Sequence, residues 1–202
     1  MENATMDRRK AVWLATGVPQ AYRSFSEAKV TLPEGKAKEI ADWFEGIPER
    51  QRKVEEIPQH PDYGQSLWIN SDYHMGKTRF VIAAMFEHCL KYRKAFRWTE
   101  AVDYIDAQRL AMATDDDESS GLHRALQAVE AAKSTYFLIL DEIGEERYSD
   151  WVDNELLRLV KARFKAGRPT VLITQLTQSE WKSTYSSPLT AFVQKNCHRI
   201  SI

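Results

Sequence analysis

The sequence predicts an α/β fold, a parallel sheet with helices packed on both of its faces. Three observations predict it. Short strand-like runs alternate with segments of helical period along most of the chain. One run, Tyr136-Phe-Leu-Ile-Leu140, is continuously apolar, as a strand covered on both faces must be. Another, Ser66-Leu-Trp-Ile-Asn70, is followed by Ser71-Asp-Tyr-His-Met-Gly-Lys-Thr78 and then by a helical pattern. Strand, loop, then a helix opening on Gly-Lys-Thr is the layout of a phosphate-binding loop, so the fold expected is a three-layer P-loop nucleotide-binding core.

The bulk properties agree with that class. The chain has 202 residues, enough for one such core, and is 43% apolar and 28% charged with a formal net charge of -1. That balance announces no global nucleic-acid binder and leaves room for a local basic face. Cys89 and Cys197 lack metal spacing and read as reduced, buried thiols. No apolar run reaches transmembrane length and Met1-Glu-Asn-Ala-Thr-Met-Asp7 has no signal core, so the expected compartment is the cytoplasm.

Residues 1–60 read as a helical and extended lead-in and 61–202 as the core. Arg8-Arg-Lys-Ala-Val-Trp-Leu-Ala15 allows one or two amphipathic turns, which Gly17-Val-Pro19 breaks. Ala37, Ile40, Ala41, Trp43 and Phe44 predict a helix over 33–46. Residues 47–64 have no period and form a surface linker to the first strand, 66–70. Phe80, Val81, Ala84, Met85, Cys89 and Leu90 make one face of a helix over 78–92. A short strand at 95–98 follows. Thr99 is expected to cap a helix over 100–112 with Val102, Ile105 and Leu110 inward. After an acidic loop at 114–121, residues 122–132 place Leu122, Leu126 and Val129 on one helical face. The strand at 136–140 ends in Asp141-Glu142. A helix over 151–165 stops at Gly167-Arg-Pro169, a strand occupies 170–174 and a helix 178–185. Residues 191–202 close in a strand marked by Ile200 and Ile202.

The chemistry follows from two of these junctions. In a phosphate loop, backbone N–H groups and a helix N-terminus converge on the anion. Ser71, Asp72, Tyr73, His74, Met75, Gly76, Lys77 and Thr78 are therefore the nucleotide-binding candidates. Lys77 would reach the β- and γ-phosphates of ATP, and the Thr78 hydroxyl would ligate Mg²⁺. Asp141 would hold the metal through water, and Glu142 would act as general base on the attacking water. Thr174 and Gln175 sit at the end of the strand over 170–174, where in ATPases with such a loop a polar side chain contacts the γ-phosphate or that water. Either half of the pattern occurs by chance. Both in this order, each after a strand, form a specific signal.

Four stretches resemble one family. Gly17-Val-Pro-Gln-Ala-Tyr-Arg23 is similar to its opening motif, and Leu138-Ile-Leu-Asp-Glu-Ile-Gly-Glu-Glu-Arg147 to its Walker B block. Gly167-Arg-Pro-Thr-Val-Leu-Ile-Thr174 resembles its sensor 1 strand, and Leu176-Thr-Gln-Ser-Glu-Trp181 the helix after it. The family is the DnaC/IstB group of AAA+ ATPases, and the likeness runs from about Gly17 nearly to the end. It implies an AAA+ core with RecA-like strand order and no separate lid domain. It also implies ATP and Mg²⁺ as cofactors, self-association, a hexameric replicative helicase as partner and single-stranded DNA as the site of loading. In the IstB branch the partner is instead a transposase.

The departures bear on turnover. Ser71 and His74 stand where the group's loop has its first two glycines, and Gln175 replaces the usual sensor asparagine. Phe192 lies near the place of the arginine that completes a neighbour's site, with Lys195 and Arg199 as its possible substitutes. About sixteen residues precede the opening motif, as in a compact phage or mobile-element version. Partner contacts would then fall on Trp13, Tyr22, Trp43 and Phe44, although Trp43 and Phe44 read better as core. Lys91-Tyr-Arg-Lys-Ala-Phe-Arg-Trp98 interleaves cations and aromatics and is the candidate DNA contact. The leading expectation is a helicase-loader-like ATP-binding protein with Glu142 and Gln175 as catalytic residues. The alternatives are a nucleotide-independent adaptor or inhibitor of a replication protein and a transposase helper.

Overall fold

In the computed structural model the described residues are 13, 16–23, 32, 34–48, 66–70, 76–112 and 120–202. Helix α1 is Glu34–Glu45, β1 Ser66–Asn70, α2 Lys77–Tyr92, β2 Phe96–Glu100, α3 Ala101–Met112 and α4 Ser120–Ser134. Then come β3 Phe137–Ile143, α5 Asp150–Lys165, β4 Thr170–Thr174, α6 Gln178–Thr184, α7 Ser187–Asn196 and β5 Cys197–Ser201. The five strands make one all-parallel sheet in the order β2-β3-β4-β1-β5. β1 thus lies between β4 and β5, and β4 between β1 and β3. The ends of the strands that carry the candidate site are neighbours in space although far apart in sequence.

Every residue of β1 and β4 is buried. Alternate residues divide the core into two layers, because side chains along a strand point to opposite faces. Leu67, Ile69, Val171 and Ile173 join Ile40, Phe44, Ile82, Met85 and Phe86 on the α1/α2 face. Trp68, Leu138, Leu140 and Leu172 join Tyr104, Leu156, Leu159 and Trp181 on the other face. Trp43 and Phe44 are core, at 5% and 3% exposure. Trp13 is no free anchor either, since its ring stacks on Phe86 at 3.9 Å. Cys89 is buried, Cys197 half-buried, and both are free thiols. Among the described residues no helix is long and apolar enough to cross a membrane.

The opening motif has a mechanical role. β2 is an edge strand, and Thr16 O accepts a hydrogen bond from Trp98 N at 2.8 Å, so the motif covers that edge. Gly17 has a φ of 76°, and a Cβ there would lie 2.9 Å from Trp98 O. Both the left-handed backbone and the close approach exclude a side chain.

Several local expectations shift. Thr99 lies within β2 and its hydroxyl donates to Glu100 O, so it caps nothing. α3 begins directly at Ala101, and its buried face is Ala101, Tyr104, Ile105 and Gln108. Leu110 is 45% exposed. Gln108 takes an inward place because Tyr104 Oη and Glu155 Oε2 both accept from its amide at 3.0 Å. On α4, Ala125, Val129 and Ala132 face inward while Leu126 is 48% exposed, because α3 packs closely along α4 and favours small residues there. α7 is an added helix: the Ser186 hydroxyl accepts from Leu189 N and Pro188 sits in its first turn.

Candidate functional site

The site lies at the C-terminal edge of the sheet. Gly76 precedes α2 with a left-handed φ of 71°, which turns the chain from the loop into the helix. Lys77 is 7% exposed and Thr78 is half-buried at the helix start. Of the loop candidates, Ser71, Asp72, Tyr73, His74 and Met75 lie outside the described residues.

β3 delivers the second half. The Thr78 hydroxyl donates to Asp141 Oδ1 at 3.2 Å, joining residues 63 positions apart. Asp141 Oδ1 also accepts from Glu142 N at 3.0 Å, and Asp141 Oδ2 accepts from the Trp98 indole at 3.1 Å. Asp141 is 2% exposed. Burial raises its pKa, and the hydrogen bonds from Trp98, Thr78 and Glu142 N and the charge of Lys77 oppose that rise. The outcome is one carboxylate held in a fixed orientation by three donors.

Glu142 is placed differently. The β3/β4 register shifts between Leu140 and Ile143, and Glu142 takes a left-handed φ of 54° within that irregularity. A non-glycine residue held there costs about 1–3 kcal/mol. The bulge leaves the Glu142 carboxylate only partly buried beside the buried Asp141. Burial and then the charges of Asp141 and Glu145 raise the Glu142 pKa. Burial and the charges of Glu142, Asp103 and Asp141 raise that of Glu100. A cluster of like charges thus faces the Lys77 end of α2, which a cation would relieve.

β4 supplies the third part. Thr174 pairs with Asn70 of β1 on one side and with Ile143 of β3 on the other. Gln175 therefore leaves the sheet between the end of β1 at Asn70 and the Asp141-Glu142 turn. Thr174 is structural: its hydroxyl donates to Ile143 O at 2.5 Å and accepts from Leu176 N at 3.1 Å. Gln175 Oε1 is buried with no hydrogen-bond partner among the described residues. A side-chain amide there offers a donor and an acceptor, which suits a water beside a phosphate. The donor set, the hydroxyl–carboxylate pair and this orphaned amide oxygen fit a magnesium nucleotide.

Two contributors escaped the sequence. Trp98 donates to Asp141 and looked like a nucleic-acid contact. Tyr22 packs edge-on against Trp98 at 6.1 Å, and burial, Asp141 and Glu142 raise its pKa, so it flanks the site. A polar-tipped aromatic beside a buried carboxylate is the signal, and only the fold brings the two together.

Of the C-terminal candidates for the arginine of a neighbour's site, Arg199 is engaged and Lys195 is free of side-chain partners among the described residues. Arg199 donates to Asn70 Oδ1 at 3.1 Å and Gln178 Oε1 at 2.6 Å, and lies over the Trp68 ring. Phe192 packs edge-on against Phe164 at 5.5 Å. Lys195 is exposed on α7.

Known proteins share this architecture. The DnaC helicase loader superposes with a TM-score of 0.61 at 17% identity, covering 96% of this chain and 99% of that one. DnaI gives 0.62 at 15% identity, covering 93% and 95%. The replication initiator DnaA bound to AMPPCP and single-stranded DNA gives 0.62 at 14% identity, covering 89% of this chain but 51% of that one. At these identities the likeness shows the AAA+ P-loop fold. No curated protein matches the chain. A family profile, that of the IstB-like ATP binding protein, matches residues 61–201, well over half the chain. A sheet order, a phosphate-loop helix and a Walker B strand that agree with that match place this chain in the family of IstB-like ATP-binding proteins.

Proposed function

We propose that the chain is an ATP-binding, helicase-loader-like protein that engages a hexameric replicative helicase and assists its placement on single-stranded DNA in DNA replication. The convergence of Lys77, Thr78, Asp141, Glu142 and Gln175 at one sheet edge carries this reading. Its support is a fold shared with DnaC and DnaI over nearly their full lengths.

ATP with Mg²⁺, when bound, would supply a phosphoanhydride whose presence or loss would change the protein's hold on its partner. Lys77 and the helix N-terminus behind Gly76 neutralise phosphate charge. The Thr78 hydroxyl and Asp141 would hold the metal, and the Trp98 indole keeps that carboxylate aimed. Glu142 accepts a proton from water at its half-exposed carboxylate, and Gln175 orients that water. Phe192 and the engaged Arg199 favour slow turnover in isolation, with the partner or a second copy of the chain needed for more. The same two residues favour a second reading, a nucleotide-independent adaptor or inhibitor of a replication protein. The family match keeps a transposase helper as the third.

A titration of a fluorescent ATP analogue tests the first reading. Saturable, Mg²⁺-dependent binding is expected, weakened at least ~100-fold in Lys77→Ala, since a buried cation facing phosphate contributes several kcal/mol. Absence of binding at millimolar nucleotide overturns it. Co-elution with a purified replicative helicase, and not with a transposase, separates loader from transposition helper.

A further inference from the structure

We propose that Arg199 of the edge strand β5 is a positioning residue for Gln175, and through it for the γ-phosphate end of a bound nucleoside triphosphate. The proposal rests on the nucleotide reading above and adds to it a residue of the same chain that fixes the segment carrying Gln175.

β5 lies at one edge of the sheet and pairs with β1. In that register Trp68 stands opposite Arg199 and Asn70 opposite Ser201. Asn70 is the last residue of β1 and is buried. On its other side it pairs with Thr174, the last residue of β4. The exits of β5, β1 and β4 are therefore side by side at the edge of the sheet from which Lys77 and Asp141 act.

Arg199 spans these exits. Its guanidinium lies over the Trp68 ring at 5.1 Å. Its Nε donates to Asn70 Oδ1 at 3.1 Å and its Nη1 to Gln178 Oε1 at 2.6 Å. Gln178 is the first residue of α6, and Gln175, Leu176 and Thr177 are all that separates it from β4. One planar fork thus ties the end of β1 to the start of α6.

That short connection is held along its length. The Thr174 hydroxyl donates to Ile143 O and accepts from Leu176 N. Leu176 packs on Gly144, where a Cβ would lie 2.9 Å from its side chain. Thr177 caps α6 in a capping box with Glu180. Arg199 adds a tie from the edge strand, so the backbone of Gln175 is fixed from both sides. Its amide oxygen is buried and has no hydrogen-bond partner among the described residues. A long, flexible side chain loses less freedom on binding when its base is already fixed.

Two features argue for a task beyond holding the edge strand. Ser201 Oγ donates to Asn70 Oδ1 at 2.9 Å and Ile202 N to Asn70 O at 2.9 Å, so β5 and β1 are joined at this end without Arg199. The second contact of Arg199 reaches past β1 to α6, which the pairing of β5 does not need. A guanidinium suits a bridge between two oxygens, because its donors are set in one rigid plane.

Calorimetric titration with AMPPCP and with ADP, each with Mg²⁺, tests this, beside a thermal melt of every variant. The wild type should bind AMPPCP at least ~10-fold more tightly than ADP, as one hydrogen bond to a charged group provides. Arg199→Gln should reduce that preference at least ~3-fold, with ADP affinity within about 2-fold of the wild type. Arg199→Lys keeps the charge without the fork and should lose the preference as well. Gln178→Ala removes the acceptor on α6, leaves β5 intact and should have the same effect. Gln178→Glu keeps an acceptor and should retain the wild-type preference, and so should Ser201→Ala. Gln178→Ala placed on Arg199→Gln should add nothing, since the two residues act as one link.

An unchanged preference in Arg199→Gln or in Gln178→Ala overturns the assignment, whatever the melting temperature does. A wild-type preference in Arg199→Lys traces the effect to charge and overturns it too, as do equal wild-type affinities for the two nucleotides. If Arg199→Gln does not fold, the two Gln178 variants decide. If the wild type binds neither nucleotide, the nucleotide reading falls and this assignment with it. If the wild type shows the expected preference and Gln178→Ala keeps it, this assignment alone falls.

Discussion

Glu142 concentrates the tension of the site in one side chain. Its backbone is left-handed and its carboxylate sits among Asp141, Glu145 and Asp103. Its folded pKa is raised above the ordinary 4.5, so between those values the folded state holds a proton that the unfolded state has lost. Stability therefore falls as pH rises from about 4.5 through the raised folded value. Glu142→Gln should raise the nucleotide-free melting temperature at pH 7. The gain should vanish below about pH 4, where glutamate is protonated in both states. Paired thermal melts at the two pH values check this, and a lower melting temperature at pH 7 would contradict it. Asp141 is raised as well, by burial, but the hydrogen bonds from Trp98, Thr78 and Glu142 N and the charge of Lys77 oppose that rise.

At the scale of elements, one buried carboxylate couples two helices. Asp153 of α5 is 3% exposed and accepts from Ser186 N at 2.8 Å and Ser186 Oγ at 2.6 Å. Ser186 in turn caps α7. Asp153→Ala should cost about 2–4 kcal/mol, since it removes two bonds to a charged acceptor at a buried place. Ser186→Ala should cost about 1–2 kcal/mol, and the double variant less than the sum. Urea midpoints measure all three, and strict additivity would show that the pair does not act as a unit. The turn after Glu142 is fastened in the same way. Glu146 accepts from Gly144 N at 2.9 Å and from the Tyr185 hydroxyl, so the Walker B turn is tied to the end of α6.

For the whole molecule, Arg163 is the keystone of the turns that lead into β3 and β4. It is fully buried and donates to Thr170 Oγ1 and to the carbonyls of Ala132, Thr135, Tyr136 and Pro169. Burial, then the charge of Arg168, lowers its pKa to about 9, so it is cationic at pH 7. Its fan of bonds closes the turns that lead into β3 and β4, the turns that carry Lys133 and Arg168. Arg163→Met should cost about 3–5 kcal/mol through the carbonyls it leaves unpaired. A shift of the denaturation midpoint below about 1 kcal/mol would contradict that role.

What the sequence by itself determined was whatever depends on local pattern. The apolar run before Asp141, the helical period after Lys77 and the Gly-Lys-Thr turn placed the strands, the class and the residues of the candidate site, because burial on both faces and a phosphate loop each demand particular residues in a row. The missed or misphased helices have one cause. α3 leaves β2 directly, and the cap of α7 at Ser186 is held by Asp153 of a distant helix. Neither partner is adjacent in sequence. The roles of Trp98 and Arg199 likewise depended on neighbours. The first turned from a DNA contact into a donor to Asp141, and the second from a candidate for a neighbour's site into a clamp on Asn70. Only the tertiary structure could decide them, because a side chain's task is set by which polar group lies within about 3 Å of it, and the parallel crossover brings that group from tens of residues away.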